Sequence, residues 1–290
     1  MGVTWSPLDT PVVVDHPQVA PRWTLGAPGG TGIRLDVPTE WTARAARGET
    51  LDWYWDEPMM VPFDGQKLCN TNILFVGDSL TQHTYFSFLV QLGAIDHYPR
   101  PIRVKSHKLD NIIHNGECRI ELTYRRNDWL VLNDNALPYK NANANEPWKK
   151  LVNHADFIII NQGAHFLREK NFTTNVKLAL DFLKDKRVIY LGVPPGYPNC
   201  MVHKKPVEIP PDLQGAPHNW GLIHDRNIWV NQMIESNGNK NHKYLNVMDM
   251  SMLRADAHVS SSDCLHYTFP GVYDWWVYKI FNEIIKFLYI

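Results

Sequence analysis

Four short apolar runs limit how this chain can fold. Ile73–Gly77, Phe157–Asn161, Val188–Gly192 and Tyr244–Met248 are each about strand length and far too short to span a membrane. The first three are apolar up to the residue that ends them and so have no wet face, which means that their strands must be covered on both sides, while Tyr244–Met248 is a fourth strand candidate. Between the runs, residues recur at helical spacing. Leu80, Tyr85, Phe88, Leu89 and Leu92 lead to a capping Gly93, and helical stretches follow around Asn175–Leu183 and over Ile223–Ile234. The closing stripe runs from Tyr273 through Trp276, Val277, Ile280, Phe281 and Ile284 to Leu288. Strands alternating with helices predict an α/β fold with a central, mostly parallel sheet and helices on both faces. No repeat and no linker divides these elements.

Residues 1–62 obey a different grammar. They hold eight of the 20 prolines and five of the 11 tryptophans, around the Gly-rich Ala27-Pro28-Gly29-Gly30. This predicts an irregular wrapped segment ahead of a regular domain over 63–290. The tryptophans suit core filling, or stacking on sugars and bases. Lys plus Arg number 29 against 30 Asp plus Glu, so no cationic surplus calls for nucleic acid or an anionic membrane. Hydrophobic residues at 44% and charged residues at 20% exclude a disordered, collagen-like or coiled-coil chain. Cys69, Cys118, Cys200 and Cys264 lack the C-x-x-C spacing of a zinc finger, and leave two disulfides or four thiols open. Asn171-Phe172-Thr173 fits the N-glycosylation pattern. Met1-Gly2 with Ser6 fits the loose myristoylation pattern, read here as coincidence, and the first residues lack the apolar run of a signal peptide.

The chemistry begins at Gly77-Asp78-Ser79-Leu80, where a buried strand breaks into a helix. A serine there has its hydroxyl at the carboxyl edge of the sheet, where open α/β sheets bind ligands. The helix start aims free N–H groups at any developing anion. Asp78 and Ser79 equally suit a plain helix cap. A catalytic serine needs a histidine to take its proton and a group to orient that histidine. Asp263-Cys264-Leu265-His266, in the loop before the terminal helix, carries both residues three apart.

Four blocks give the chain a resemblance. They are Pro62-Phe63-Asp64-Gly65 with Ile73–Leu80, Ala155–Gly163, Leu253–Ser260, and Asp263–Tyr267 with Pro270-Gly271-Val272, Asp274 and Trp276. In this order they resemble the trichome-birefringence-like polysaccharide O-acetyltransferases and their relatives in the PC-esterase family, a branch of the SGNH, or GDSL-type, hydrolase superfamily. The likeness runs from about Trp55 to the last residue. Departures stand beside it. Gln82 and His83 occupy positions where the family usually has Arg and Asn. Tyr267 replaces Trp, Thr268 replaces a Cys, and His165 lies one place late.

The resemblance implies an SGNH-hydrolase-like fold and acyl transfer, with acetyl the expected group, to or from carbohydrate hydroxyls. Ser79 would be the nucleophile, His266 the base and Asp263 its orienting group. The backbone N–H of Ser79, the Asn161 amide and the N–H of Gly116 would hold the oxyanion. It also implies a Cys200–Cys264 disulfide, with Arg254, Asp256 and His258 supporting the loop or lining the site. No metal and no organic cofactor is called for. The expected partners are an acyl donor and a carbohydrate acceptor, in the Golgi lumen or outside the cell, with no membrane anchor in this sequence. A general esterase or lipase would instead need a larger apolar acyl pocket. A non-catalytic carbohydrate-binding protein would not need Ser79, Asp263 and His266 together.

Overall fold

The computed structural model describes residues 61, 63–95, 107–115, 117–132, 145–165 and 169–289, together with the backbone of 22–25 and 53–56. The strands are β1 (Arg22–Leu25), β2 (Trp53–Asp56), β3 (Thr71–Gly77), β4 (Lys108–Asn115) and β5 (Cys118–Arg126), then β6 (Phe157–Ile160), β7 (Arg187–Leu191), β8 (His242–Leu245), β9 (His258–Ser260) and β10 (Asp263–Tyr267). The α-helices are α1 (Ser79–Gln91), α2 (Glu169–Phe182), α3 (Ile223–Asn237), α4 (Met248–Met252) and α5 (Val272–Tyr289). The fold is α/β, as the alternating runs predict.

Six strands form the central sheet in the order β4-β5-β3-β6-β7-β8. Only β4, at the edge, runs antiparallel to its neighbour. From β3 the chain moves to β5 on one side and then to β6 on the other. The strand order therefore reverses at β3, and its carboxyl end opens onto the crevice that such a switch point leaves.

Side chains alternate across a strand, so each sheet face receives every second residue. Ile73 and Phe75 of β3 pack with Leu122 and Tyr124 of β5 against Leu80 and Phe88 of α1 and Trp276 and Ile280 of α5. On the other face Leu74, Val76, Ile158 and Ile160 meet Phe172 and Val176 of α2 and Val230 and Ile234 of α3. This two-sided burial is why the runs carry no polar alternation. Helices α1 and α5 are also tied by polar groups. The Ser87 hydroxyl donates to one oxygen of Asp274, whose other oxygen caps α5 by accepting the Gly271 N–H at 2.6 Å. The Asn282 side chain of α5 holds both backbone groups of Val61, at 2.7 and 3.1 Å.

Three expectations need correction. The run Tyr244–Met248 is not one strand, because β8 ends at Leu245. The Asn246 side chain then accepts the N–H groups of Met248 and Asp249, at 3.0 and 3.3 Å, and starts α4. Within the segment expected to be irregular, β1 and β2 pair antiparallel with Trp23 opposite Trp55; the remainder of residues 1–60 lies outside the described residues. The β4–β5 hairpin was not expected at all.

Candidate active site

Ser79 is the first residue of α1, immediately past the carboxyl end of β3. Asp78 caps the helix, its carboxylate accepting the Leu80 N–H at 2.9 Å. The Tyr124 hydroxyl braces the turn against the carbonyl of Asp78 at 3.1 Å. Gly77 is needed for close approach. A Cβ there would stand 2.3 Å from Thr81 Oγ1 and 3.1 Å from the Asn161 carbonyl oxygen.

His266 Nε2 lies 2.7 Å from Ser79 Oγ. On its other side, His266 Nδ1 is 2.9 Å from each oxygen of Asp263. An ionised carboxylate only accepts hydrogen bonds, so Nδ1 carries the hydrogen and the neutral ring presents a lone pair at Nε2 to the serine hydroxyl. Burial pushes the Asp263 carboxyl up. The hydrogen bond and charge of His266, with the N–H groups of His266 and Leu265, outweigh that and hold it well below the usual carboxylate range.

The local sequence explains how residues three apart converge. In a regular strand they would face opposite sides. Here the register of β10 on β9 slips between Asp263 and Tyr267. Asp263 Oδ1 accepts the N–H groups of Leu265 and His266, at 3.3 and 3.1 Å, in an Asx-type turn that swings the imidazole back over the carboxylate. The hairpin is anchored by the Cys200–Cys264 disulfide, which the family resemblance implied, and by the Tyr197 N–H donating to the Cys264 carbonyl at 2.8 Å. Arg254 and Asp256 form a fully buried ion pair. His258 reaches the His266 carbonyl at 3.2 Å and stacks on Tyr267 at 4.4 Å. His258 thereby links β9 to β10 beside the relay.

Asn161 follows β6, its N–H donating to the Val76 carbonyl beside the β3 turn. Its side chain is fully buried, and neither amide atom has a partner among the described residues. A buried amide without partners is costly, so a free donor at this point is poised for a transient acceptor. Gly116 lies outside the described residues. The residues that flank it, Asn115 and Cys118, pair with each other, and Cys118 is disulfide-bonded to Cys69, just before β3 begins.

Two residues near the relay escaped sequence reasoning. His83 packs its ring 5.1 Å from that of His266. Arg126 ends β5 in register with Gly77, held by Asp128 through Nε at 2.9 Å and Nη2 at 3.3 Å. One signal for Arg126 was present. It continues the stripe Ile120, Leu122 and Tyr124, placing a charge where the sheet face runs out into the crevice. His165 is exposed.

Neither a comparison with protein-family models nor one with curated proteins finds a match for this chain. The functional reading therefore stands on the geometry and on the ordered motifs.

Proposed function

We propose that this protein is an SGNH-like acyltransferase or acyl esterase that moves an acyl group, acetyl in the first instance, to or from a carbohydrate hydroxyl. One observation carries the reading. Ser79, His266 and Asp263 form a continuous hydrogen-bonded relay at the topological switch point of a mostly parallel sheet. The resemblance to the trichome-birefringence-like and PC-esterase family supplies the carbohydrate as substrate class. Two disulfides among the described residues suit the oxidising compartment expected for such a member.

The steps follow from the groups present. Ser79 Oγ attacks the carbonyl carbon of the acyl donor while its proton passes to His266 Nε2. Asp263 holds the tautomer and stabilises the imidazolium. The carbonyl oxygen becomes an oxyanion beside the helix start, where the Ser79 N–H and the Asn161 amide donate to it; each such donor contributes about 3 kcal/mol. His266 returns the proton to the departing alkoxide, leaving an acyl-serine. An incoming hydroxyl, of sugar or of water, then gives its proton to His266 and attacks the acyl carbon. The tetrahedral species collapses as the bond from the acyl carbon to Ser79 Oγ breaks, and His266 returns the proton to Oγ, so the free serine and neutral imidazole are restored.

The decisive measurement is intact mass after incubation with an acetyl donor, with and without candidate glycans. The expected result is one added acetyl group on the wild-type chain, discharged by the right acceptor and absent from Ser79→Ala. A wild-type chain that never acylates, or a Ser79→Ala chain that does, overturns the reading.

A further inference from the structure

The helix turn after the nucleophile carries a histidine that the steps above do not use. His83 is four residues beyond Ser79 and so lies on the same face of α1. Its ring sits 5.1 Å from that of His266 at a tilt of 54°. Phe269 encloses it at 5.3 Å, and Tyr273 packs edge-on at 5.2 Å. A titratable ring in contact with the base of a relay cannot be indifferent to it. Charged, it would oppose every step in which His266 becomes an imidazolium.

Hydrogen-bond direction decides which form His83 takes. The backbone N–H of Tyr267 can only donate, and it donates to Tyr273 Oη at 3.3 Å. The other neighbour of that oxygen is His83 Nδ1, at 3.2 Å. Among the described residues no other acceptor is placed to take the Tyr273 hydroxyl hydrogen, so it points at Nδ1. His83 Nδ1 is then an acceptor, and the one ring proton sits on Nε2. The charged form, with hydrogen on both nitrogens, would lose that bond and set two donors against each other.

We propose that His83 is a positioning residue of the relay: an imidazole locked neutral in its Nε2–H form by Tyr273, which packs against His266 and keeps a second positive charge away from it. The groups facing His83 agree. Burial lowers its pKa to about 3, with His266 of β10 and Arg126 of β5 acting in the same direction and Asp263 opposing them. Tyr273 of α5 supplies the lock, and Phe269 is apolar. The proposal rests on the acyl-transfer reading for its functional meaning, but its physical content can be read without substrate.

The test is nitrogen NMR on the full chain labelled at histidine. In the wild type, His83 should show a neutral ring protonated on Nε2 and keep it to about pH 5, where an ordinary histidine is mostly charged. In Tyr273→Phe the lock is gone. His83 should then take up its second proton at a higher pH than in the wild type, because the hydroxyl that disfavours the charged ring is absent. His83→Phe keeps a ring in place, so the low-field proton signal of His266 Nδ1–H should stay sharp. His83→Ala should broaden the low-field proton signal of His266 Nδ1–H, because the packing is lost. A wild-type His83 protonated on Nδ1, or charged at pH 5, overturns the proposal even if Tyr273→Phe fails to fold. So does a folded Tyr273→Phe chain whose His83 spectrum matches the wild type at every pH. Failure of the wild type to acylate would remove the acyl-transfer reading and leave these spectra as they are, whereas active enzyme with a charged His83 would overturn this proposal alone.

Discussion

Replacing Asp263 by Asn changes one atom of the relay, and its consequence can be followed bond by bond. Asp263 Oδ1 accepts two backbone N–H groups as well as His266 Nδ1–H, while Oδ2 accepts only Nδ1–H. An asparagine keeps the turn by leaving its oxygen at the Oδ1 position, which places its NH2 where Oδ2 was. That NH2 faces the imidazole as a donor, so the tautomer with hydrogen on Nε2 and a lone pair at Nδ1 is favoured. Nε2, 2.7 Å from Ser79 Oγ, then carries a hydrogen and cannot receive the serine proton. By analogy with serine proteases the loss in kcat is about 10⁴-fold, or about 5.4 kcal/mol of barrier. Stability at neutral pH should fall modestly: the turn survives, but the ionised carboxylate's favourable interactions with His266 are lost. The assay is turnover of a small acetyl ester at neutral pH, with a thermal melt as control. Near-native turnover in Asp263→Asn would refute the tautomer argument and with it the role of the carboxylate.

Asn161→Ala should cost about 10²–10³ in kcat while leaving the melting temperature almost unmoved, since the amide has no partner to lose; a large drop in melting temperature with full turnover would make Asn161 structural. Gly77→Ala pushes a methyl against Thr81 Oγ1 and the Asn161 carbonyl, and should cost about 1–3 kcal/mol in denaturant titrations with a disproportionate loss of turnover, because Ser79 is two residues away. Removing either disulfide by Cys→Ser pairs should cost about 4 kcal/mol, the separations of 64 and 49 residues being similar; turnover at permissive temperature should fall for Cys200–Cys264 and not for Cys69–Cys118. His83 stays neutral in the folded state to about pH 3 but takes a proton in the unfolded state below about 6.5. Stability is therefore full above that value and falls as the pH drops, by up to about 1.4 kcal/mol per unit. His83→Phe should flatten this slope between about pH 4 and 6.5, measured by denaturant unfolding, whereas Asp263→Asn should affect it only below about pH 4, where the unfolded carboxyl protonates.

The legible parts of this molecule share a physical cause. β3, β6 and β7 are buried on both faces, so their runs are apolar throughout and could be read directly. The relay was legible because Asp263 and His266 meet through a local turn, and because a serine after a buried strand has few places to point. The edge hairpin was not. Ile112 of β4 is 54% exposed, and charged residues alternate through β5, so neither strand stands out as an apolar run. The end of β8 was misread because Val247 and Met248 are as apolar as the strand before them, while the signal that breaks it is the single side chain of Asn246. The neutrality of His83 depends on where the Tyr273 hydroxyl falls, 190 residues away, and no local pattern reports that.

The hydrogen bond between Ser79 and His266 joins residues 187 apart in sequence. Between them lies nearly all of the sheet, and α5 must dock on α1 before the imidazole is held against the hydroxyl. A ribosome delivers the serine early and the histidine late. Throughout that interval the hydroxyl is an ordinary one, unable to react with whatever acyl donor surrounds it. On the proposed acyl-transfer reading, reactivity is a certificate of completed assembly: a fragment or a stalled chain carries the same serine without the imidazole that would activate it.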